Sequence, residues 1–242
     1  MTQREQVIEA MKTNGGYATF GQLNQLVDFS NWGTKTPYAT IRRIVQENTK
    51  TFFKIRSGLW ALNEEKNDVL LKFQLTGKGK IEDERFTHSY YQGLIVEIGN
   101  MKGFQTYIPS QDKNKKFLET PLKTIASITS LNPIPLFTHE EIRNKAKTVD
   151  VIWLNERKFP DSFFEVEHST DMKNSLLKFF ELQDFYAHFK IIADGKRQQQ
   201  FENVIHNSIF IPIQKRVKFV SYKTILEQYE AMCKYSQLGQ SI

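Results

Sequence analysis

Carboxylates occur in this chain where an apolar strand would be expected to exclude them. Val149-Asp150-Val151-Ile152-Trp153-Leu154 has Asp150 as its only polar member, and Phe163-Phe164-Glu165-Val166-Glu167-His168 carries two glutamates at alternate positions. Such short apolar runs belong in a sheet covered on both faces. An ionised carboxylate there is costly unless it is paired or holds a metal. Strand alternation puts Glu165 and Glu167 on one face and Phe164 and Val166 on the other, with roughly 6–7 Å between the glutamate Cα atoms. His168 falls opposite the glutamates, which suits a hydrogen-bonded histidine beside the core better than a base. Three acids converging without an obvious basic partner call for a divalent cation, and Mg²⁺ suits such hard oxygen donors. The alternative is a structural salt bridge to a distant Arg or Lys.

The rest of the composition removes competing chemistries. The single cysteine, Cys233, excludes an intramolecular disulfide and any multi-cysteine zinc site, and the five histidines are scattered without metal-ligand spacing. With 40% hydrophobic and 25% charged residues, wholesale disorder is excluded. No apolar run approaches a membrane span, and the opening MTQREQ lacks the pattern of a secretion signal, so a cytoplasmic location is expected. A net charge of +6 permits a polyanionic partner without demanding one.

Residues 1–66 read as three short helices closed by a hairpin. Thr2 caps a helix carrying Val7, Ile8 and Met11, which Asn14-Gly15-Gly16 stops. A second, Thr19 to Val27, turns Phe20, Leu23, Leu26 and Val27 inward. A third starts with Thr36 as cap and Pro37 at the first helical position, burying Ile41, Ile44 and Val45. It leaves Tyr38, Arg42 and Glu47, and at the margin Thr40 and Arg43, nearer the solvent. Phe52 to Arg56 and Leu59 to Leu62, joined by Ser57-Gly58, form the hairpin. This is the layout of a winged helix-turn-helix, whose third helix fits the DNA major groove while the wing touches the backbone. Lys35, Thr36, Tyr38, Thr40, Arg42 and Arg43 on or before that helix, with Lys54 and Arg56 on the wing, are the candidate DNA contacts. The unit is only mildly basic, with nine Lys/Arg against six Asp/Glu. Trp60 and Phe53 suit the hairpin core better than base stacking. The stretches TKTPYATIRRIVQE and FFKIRSGLWAL resemble the HARE-type winged helix found fused to restriction endonucleases and some chromatin proteins; such modules also bind proteins.

Residues 67–86 are polar and read as a linker, and 87–242 as an α/β domain. Tyr91, Leu94, Ile95, Ile98 and Met101 share one face of a helix over His88 to Met101, with Glu97 at its edge. A strand at 104–108 precedes a proline-bearing insert (109–147), then the two acid-bearing strands. Further elements are a helix from Met172 to about Phe185, a strand from His188 to Ala193, a helix from Gln198 to His206, a strand from Val217 to Ser221 and a helix from about Thr224. The alternation predicts a mixed central sheet flanked by helices.

The order Asp150, then Glu165-Val166-Glu167, resembles the PD-(D/E)XK nuclease superfamily in its E-x-E variant. HSYYQGLIVEIGNMKGF resembles that superfamily's first helix, which often supplies a further glutamate, here Glu97. FFEVEHSTDMKNSLLKFFEL resembles a block recurring in restriction endonucleases. The resemblance implies a restriction-endonuclease-like fold, with Asp150 and Glu165 binding Mg²⁺ and Glu167, where the family usually has lysine, activating or positioning the attacking water. The departure leaves the base open: Glu167, a metal-bound hydroxide, or a lysine from the following helix such as Lys173. It further implies a type II restriction enzyme cutting double-stranded DNA at specific sites to leave 5′-phosphates, acting as a homodimer beside a companion DNA methyltransferase. A non-catalytic winged-helix regulator, or a repair or structure-selective nuclease on the same scaffold, are the rival readings.

Overall fold

The structure, a computed structural model, describes residues 1–75, 80–131 and 139–239, the side chains of 80–82 and 236–239 excepted. The chain divides into two units, Met1–Lys78 with Leu226–Ile242, and Gly79–Ile225.

In the first unit, helix α1 (Gln3–Thr13) starts with a capping box, Thr2 and Glu5 each accepting the other's backbone N–H. Strand β1 (Tyr17–Thr19) runs straight into α2 (Phe20–Leu26), which Thr19 and Gln22 cap in the same way. Helix α3 (Pro37–Glu47) begins at the expected proline. Thr36 makes no side-chain cap there, because its backbone leaves the usual cap geometry. Strands β2 (Phe52–Arg56) and β3 (Leu59–Leu62) form the hairpin, Gly58 turning it with φ of 77°. The sheet order is β1-β3-β2, all antiparallel. Val7, Met11, Phe20, Leu23, Ile41, Val45, Phe52 and Trp60 form the core. Leu26 is exposed instead of inward, because α2 stops there and Val27 takes the buried place. Helix α4 (Lys66–Lys72) follows, with Val69 buried.

The second unit opens with the long α5 (Lys80–Met101) and β4 (Gln105–Tyr107). The insert holds a two-stranded hairpin of β5 (Lys116–Phe117) and β6 (Thr120–Pro121), then α6 (Leu122–Ile125) and α7 (Glu140–Ala146). Strands β7 (Val151–Leu154) and β8 (Pro160–Glu167), helix α8 (Met172–Glu181), β9 (His188–Ala193), α9 (Gln198–Ile205), the short α10 (Ile211–Gln214), β10 (Val217–Ser221) and α11 (Tyr222–Gly239) complete the order. The sheet runs β10-β9-β8-β7-β4; the first three strands are parallel, and β8-β7-β4 pair antiparallel. This is a mixed α/β fold compatible with a restriction-endonuclease-like architecture. Trp153 and Phe164 face α5, and the Trp153 indole donates to the Ile95 carbonyl at 3.1 Å. Phe163, Phe179, Phe189 and Leu176 pack together on the α8 face.

Two boundaries differ from the sequence reading. The polar stretch 67–86 contains α4 and the first turns of α5, and Val69 and Phe86 are buried where a linker would expose them. Part of the charged stretch 77–85, and Pro133 and Pro135 of the insert, lie outside the described residues. The end of α11 groups with the first unit, since Leu226, Tyr229, Glu230 and Cys233 share a helical face packed there.

Gly93 lets α5 close onto the insert hairpin: a Cβ there would stand 2.2 Å from Phe117 Cγ and 2.5 Å from its Cβ. Gly93→Ala is therefore expected to cost about 1–3 kcal/mol from overpacking, even against the gain of about 1 kcal/mol in helix propensity. A thermal melt should register this as a lower midpoint, at roughly 2–4 °C per kcal/mol; an unchanged midpoint would contradict the packing described.

Candidate active site

Sheet register assembles the acids. Val151 pairs with Phe164 in the antiparallel β7–β8 ladder, so Asp150, one residue earlier, comes opposite Glu165. Asp150 lies just ahead of β7 and not inside it, a correction to the sequence reading. Its carboxylate closes the end of the ladder. Oδ2 accepts from the Val166 backbone N–H at 2.8 Å and from His88 Nε2 at 3.2 Å. Oδ1 makes no hydrogen bond among the described residues.

Glu165 and Glu167 share the α8 face of β8 and are only 3% and 5% exposed. From α8, Lys178 Nζ reaches both Glu165 oxygens, at 3.0 and 2.8 Å, and the Thr148 carbonyl at 3.1 Å. Ser175, one turn earlier, sits between the glutamates, its Oγ 3.1 Å from Glu165 Oε2 and bonded also to Glu167 Oε1. With one proton that hydroxyl serves one carboxylate at a time; Thr170 offers Glu167 a second hydroxyl. On the other side of the sheet, α5 brings Gln92, whose Nε2 donates to the Asp150 carbonyl at 2.8 Å and to Asp112 Oδ2 at 3.0 Å. Asp112 is paired with Lys115 at 2.7 Å.

The environments push the two facing acids apart. Burial drives the Glu165 carboxyl well above its ordinary range, and the Asp150 charge adds to it, against Lys178 and Ser175. Burial would raise Asp150 too, but His88, the Val166 N–H and Lys178 outweigh it and hold that carboxyl low. Lys178 is kept protonated, burial being outweighed by Glu165, Asp150 and Glu167. Burial likewise works against a charge on His88, and Asp150 more than offsets it. Neighbouring titratable groups split in this way are the mark of acid–base sites.

Other sequence candidates fall elsewhere. Glu97 is half-buried on α5, roughly 13 Å beyond His88 along the axis. Burial raises its carboxyl, and nothing joins it to the acids among the described residues. Lys173 is exposed at the start of α8, its backbone N–H donating to Asp171; the lysine that reaches the acids is Lys178. His168 stacks on Tyr222, with ring centroids 6.4 Å apart. In the first unit, Lys35, Thr36, Arg43 and Lys54 are exposed, and Thr36, Thr40 and Arg43 share one face of α3. Tyr38 and Arg42 occupy another face, which α11 covers. Arg42 is ion-paired with Glu230 and lies 4.4 Å over the Phe20 ring, while Lys234 lies 5.0 Å over Tyr38. Arg56 is half-buried, donating to the Ile55 carbonyl at 3.2 Å.

A protein-family model described as "Type II restriction enzyme NmeDI C-terminal domain" matches residues 72–242, well over half of the chain. The chain belongs to this restriction enzyme family. Searches of curated proteins and of solved structures return no match. The family region takes in every residue of the acid cluster and, at its start, leaves out α1 to α3 and the β2–β3 hairpin. None of the described helices is long and apolar enough to cross a membrane.

For a restriction enzyme the donor chemistry bears on a metal. Among the described residues, no group of three or more His, Cys, Asp and Glu side chains is arranged to hold an ion. Two carboxylates suffice for Mg²⁺, which keeps several waters. Asp150 Oδ1 and Glu165 are such a pair, and three carboxylates here face one ammonium. The residues fit. Sequence reading missed Lys178, Ser175, His88 and Gln92. The signal for Lys178 was its place three residues after Ser175, beside the buried stripe Met172, Leu176 and Phe179.

Because the folded state favours protonated Glu165, this residue supports stability below its ordinary pKa of 4.5, and the support is lost as pH rises. Glu165→Gln removes that loss. Because the substitution also takes away the partner of Lys178, the trend is what tests the electrostatics: in EDTA the midpoint of the variant relative to the parent chain should rise as pH goes from 4 toward neutral. A difference that stays flat or falls across that range would contradict the electrostatics.

Proposed function

We propose that the chain is a Mg²⁺-dependent endonuclease that cuts double-stranded DNA at specific sequences and leaves 5′-phosphates. The observation that carries the reading is the convergence of Asp150, Glu165 and Glu167 on Lys178 in a chain of a type II restriction enzyme family. Asp150, through Oδ1, and Glu165 would hold the ion, which when bound polarises the scissile phosphate and acidifies a coordinated water. Lys178, protonated and partly exposed, would donate once the ion takes its place on Glu165: it would orient the attacking water and offset charge gathering on the phosphate. A protonated lysine is no base, so the proton passes to a carboxylate, and Glu167, steadied by Ser175 and Thr170, orients the water and accepts it.

The first unit adds DNA affinity as a winged helix, a reading supported by its three helices, its hairpin and the exposed α3 face of Thr36, Thr40 and Arg43. A palindromic site cut on both strands is met by a homodimer. In the cytoplasm, a companion methyltransferase would protect host DNA.

Incubation with mixed plasmid DNA and Mg²⁺ should give discrete bands that EDTA abolishes. Asp150→Ala should stop cutting while sparing gel retardation, and Lys178→Ala should slow it about 10²–10³-fold. Cutting that persists in D150A sinks the site assignment, and retardation without cutting by the unaltered chain favours a non-catalytic DNA binder. For the first unit, Arg43→Ala should lower the salt slope of binding by about 1. Arg42→Ala should leave that slope unchanged, since its guanidinium is engaged with the buried Glu230, whereas the pair of Arg43 with Glu47 is open to solvent.

A further inference from the structure

Asp150 is gripped from two sides, and only one of them is the sheet. His88 and Gln92 stand one turn apart on the same face of α5. A carboxylate oxygen only accepts, so His88 Nε2 donates across the 3.2 Å to Asp150 Oδ2. Gln92, wholly buried, donates to the backbone carbonyl of the same residue at 2.8 Å. The side chain and the main chain of Asp150 are thus tied to one helix. The grip resists displacement, because Gln92 also donates to Asp112, a carboxylate only 3% exposed, at 3.0 Å. With Oδ2 engaged by both His88 and Val166, Oδ1 is the oxygen left to a ligand.

We infer that His88 and Gln92 are positioning residues that set the affinity of Asp150 for a divalent cation, His88 by occupying Oδ2 and Gln92 by fixing the backbone. Neither is assigned as a ligand of the ion; both act through Asp150. The inference rests on the magnesium site proposed above. Hydrogen bonds of this supporting kind carry about 10–100-fold in metal affinity.

The test compares His88→Gln, whose amide nitrogen reaches about as far as Nε2, with His88→Phe, which fills the space without a donor. The full chain is titrated with Mg²⁺ by calorimetry without DNA, and the Mg²⁺ dependence of plasmid cleavage is followed in parallel. H88F should bind Mg²⁺ roughly 10–100-fold more weakly, need correspondingly more Mg²⁺ for half-maximal cleavage, and regain the parent rate at saturation. H88Q should recover most of the affinity. A packing role alone would lower melting temperatures in EDTA without moving the Mg²⁺ dependence. The inference is overturned if H88F binds Mg²⁺ as tightly as the parent chain, or if H88Q loses as much affinity as H88F. A parent chain that neither binds Mg²⁺ nor cuts in its presence removes the site itself, and the proposed function and this assignment fall together.

Discussion

The pairing of β7 with β8 sets Asp150 opposite Glu165, and two carboxylates so placed repel in surroundings that screen charge poorly. Local forces do not favour this. It persists because the register is fixed by the aromatic packing on either side of the sheet: Trp153 against Phe164 toward α5, and Phe163 against Phe189 toward α8. Slipping the strands by one residue would turn every one of those rings to the wrong face. The sheet core thus supplies the free energy that holds the acids together, and Lys178 reduces the cost without removing it. Buried ion pairs of this kind are weak sources of stability.

The strain is spread unevenly, and that has chemical consequences. Asp150 has donors on one oxygen and stays ionised, whereas Glu165 is buried more completely and is driven toward the neutral form. A dication would answer both demands, as it would attract two carboxylates and relieve their repulsion. Lys178, protonated at the partly open end of the cluster, is suited to meet phosphate oxygens or water, not to take up a proton. In the first unit the exposed face of α3 follows Thr36, Thr40 and Arg43, while Glu230 and Lys234 of α11 cover the side that carries Arg42 and Tyr38.

What the sequence disclosed follows from periodicity. Alternate glutamates in an apolar run announce a strand with two faces; β9 and β10 fall where their patterns put them, while β8 starts at Pro160, ahead of the apolar run, and ends at Glu167. The mixed sheet followed from that alternation. Less legible were contacts between residues distant in sequence. His88 and Asp150 are 62 residues apart, and no local pattern announces the hydrogen bond between them. Lys178 looks like any lysine beside an apolar stripe until α8 is laid across β8. Glu97 attracted attention because a family pattern places an acid on that helix, whereas the face of α5 turned to Asp150 carries a histidine and a glutamine. The segment 67–86 misled for another reason, since polarity marks exposure and not the absence of a helix.

The account stands on a divalent cation shared by Asp150 and Glu165. Crystals of the full chain soaked in Mn²⁺, and scanned for anomalous scattering at the manganese edge, show directly where the ion goes. The account predicts a single strong peak bonded to Asp150 Oδ1 and a Glu165 oxygen, at about 2.0–2.2 Å for ions of this size, with Lys178 drawn off Glu165. An empty map between those carboxylates, with the Lys178 ammonium still seated on Glu165, would contradict it.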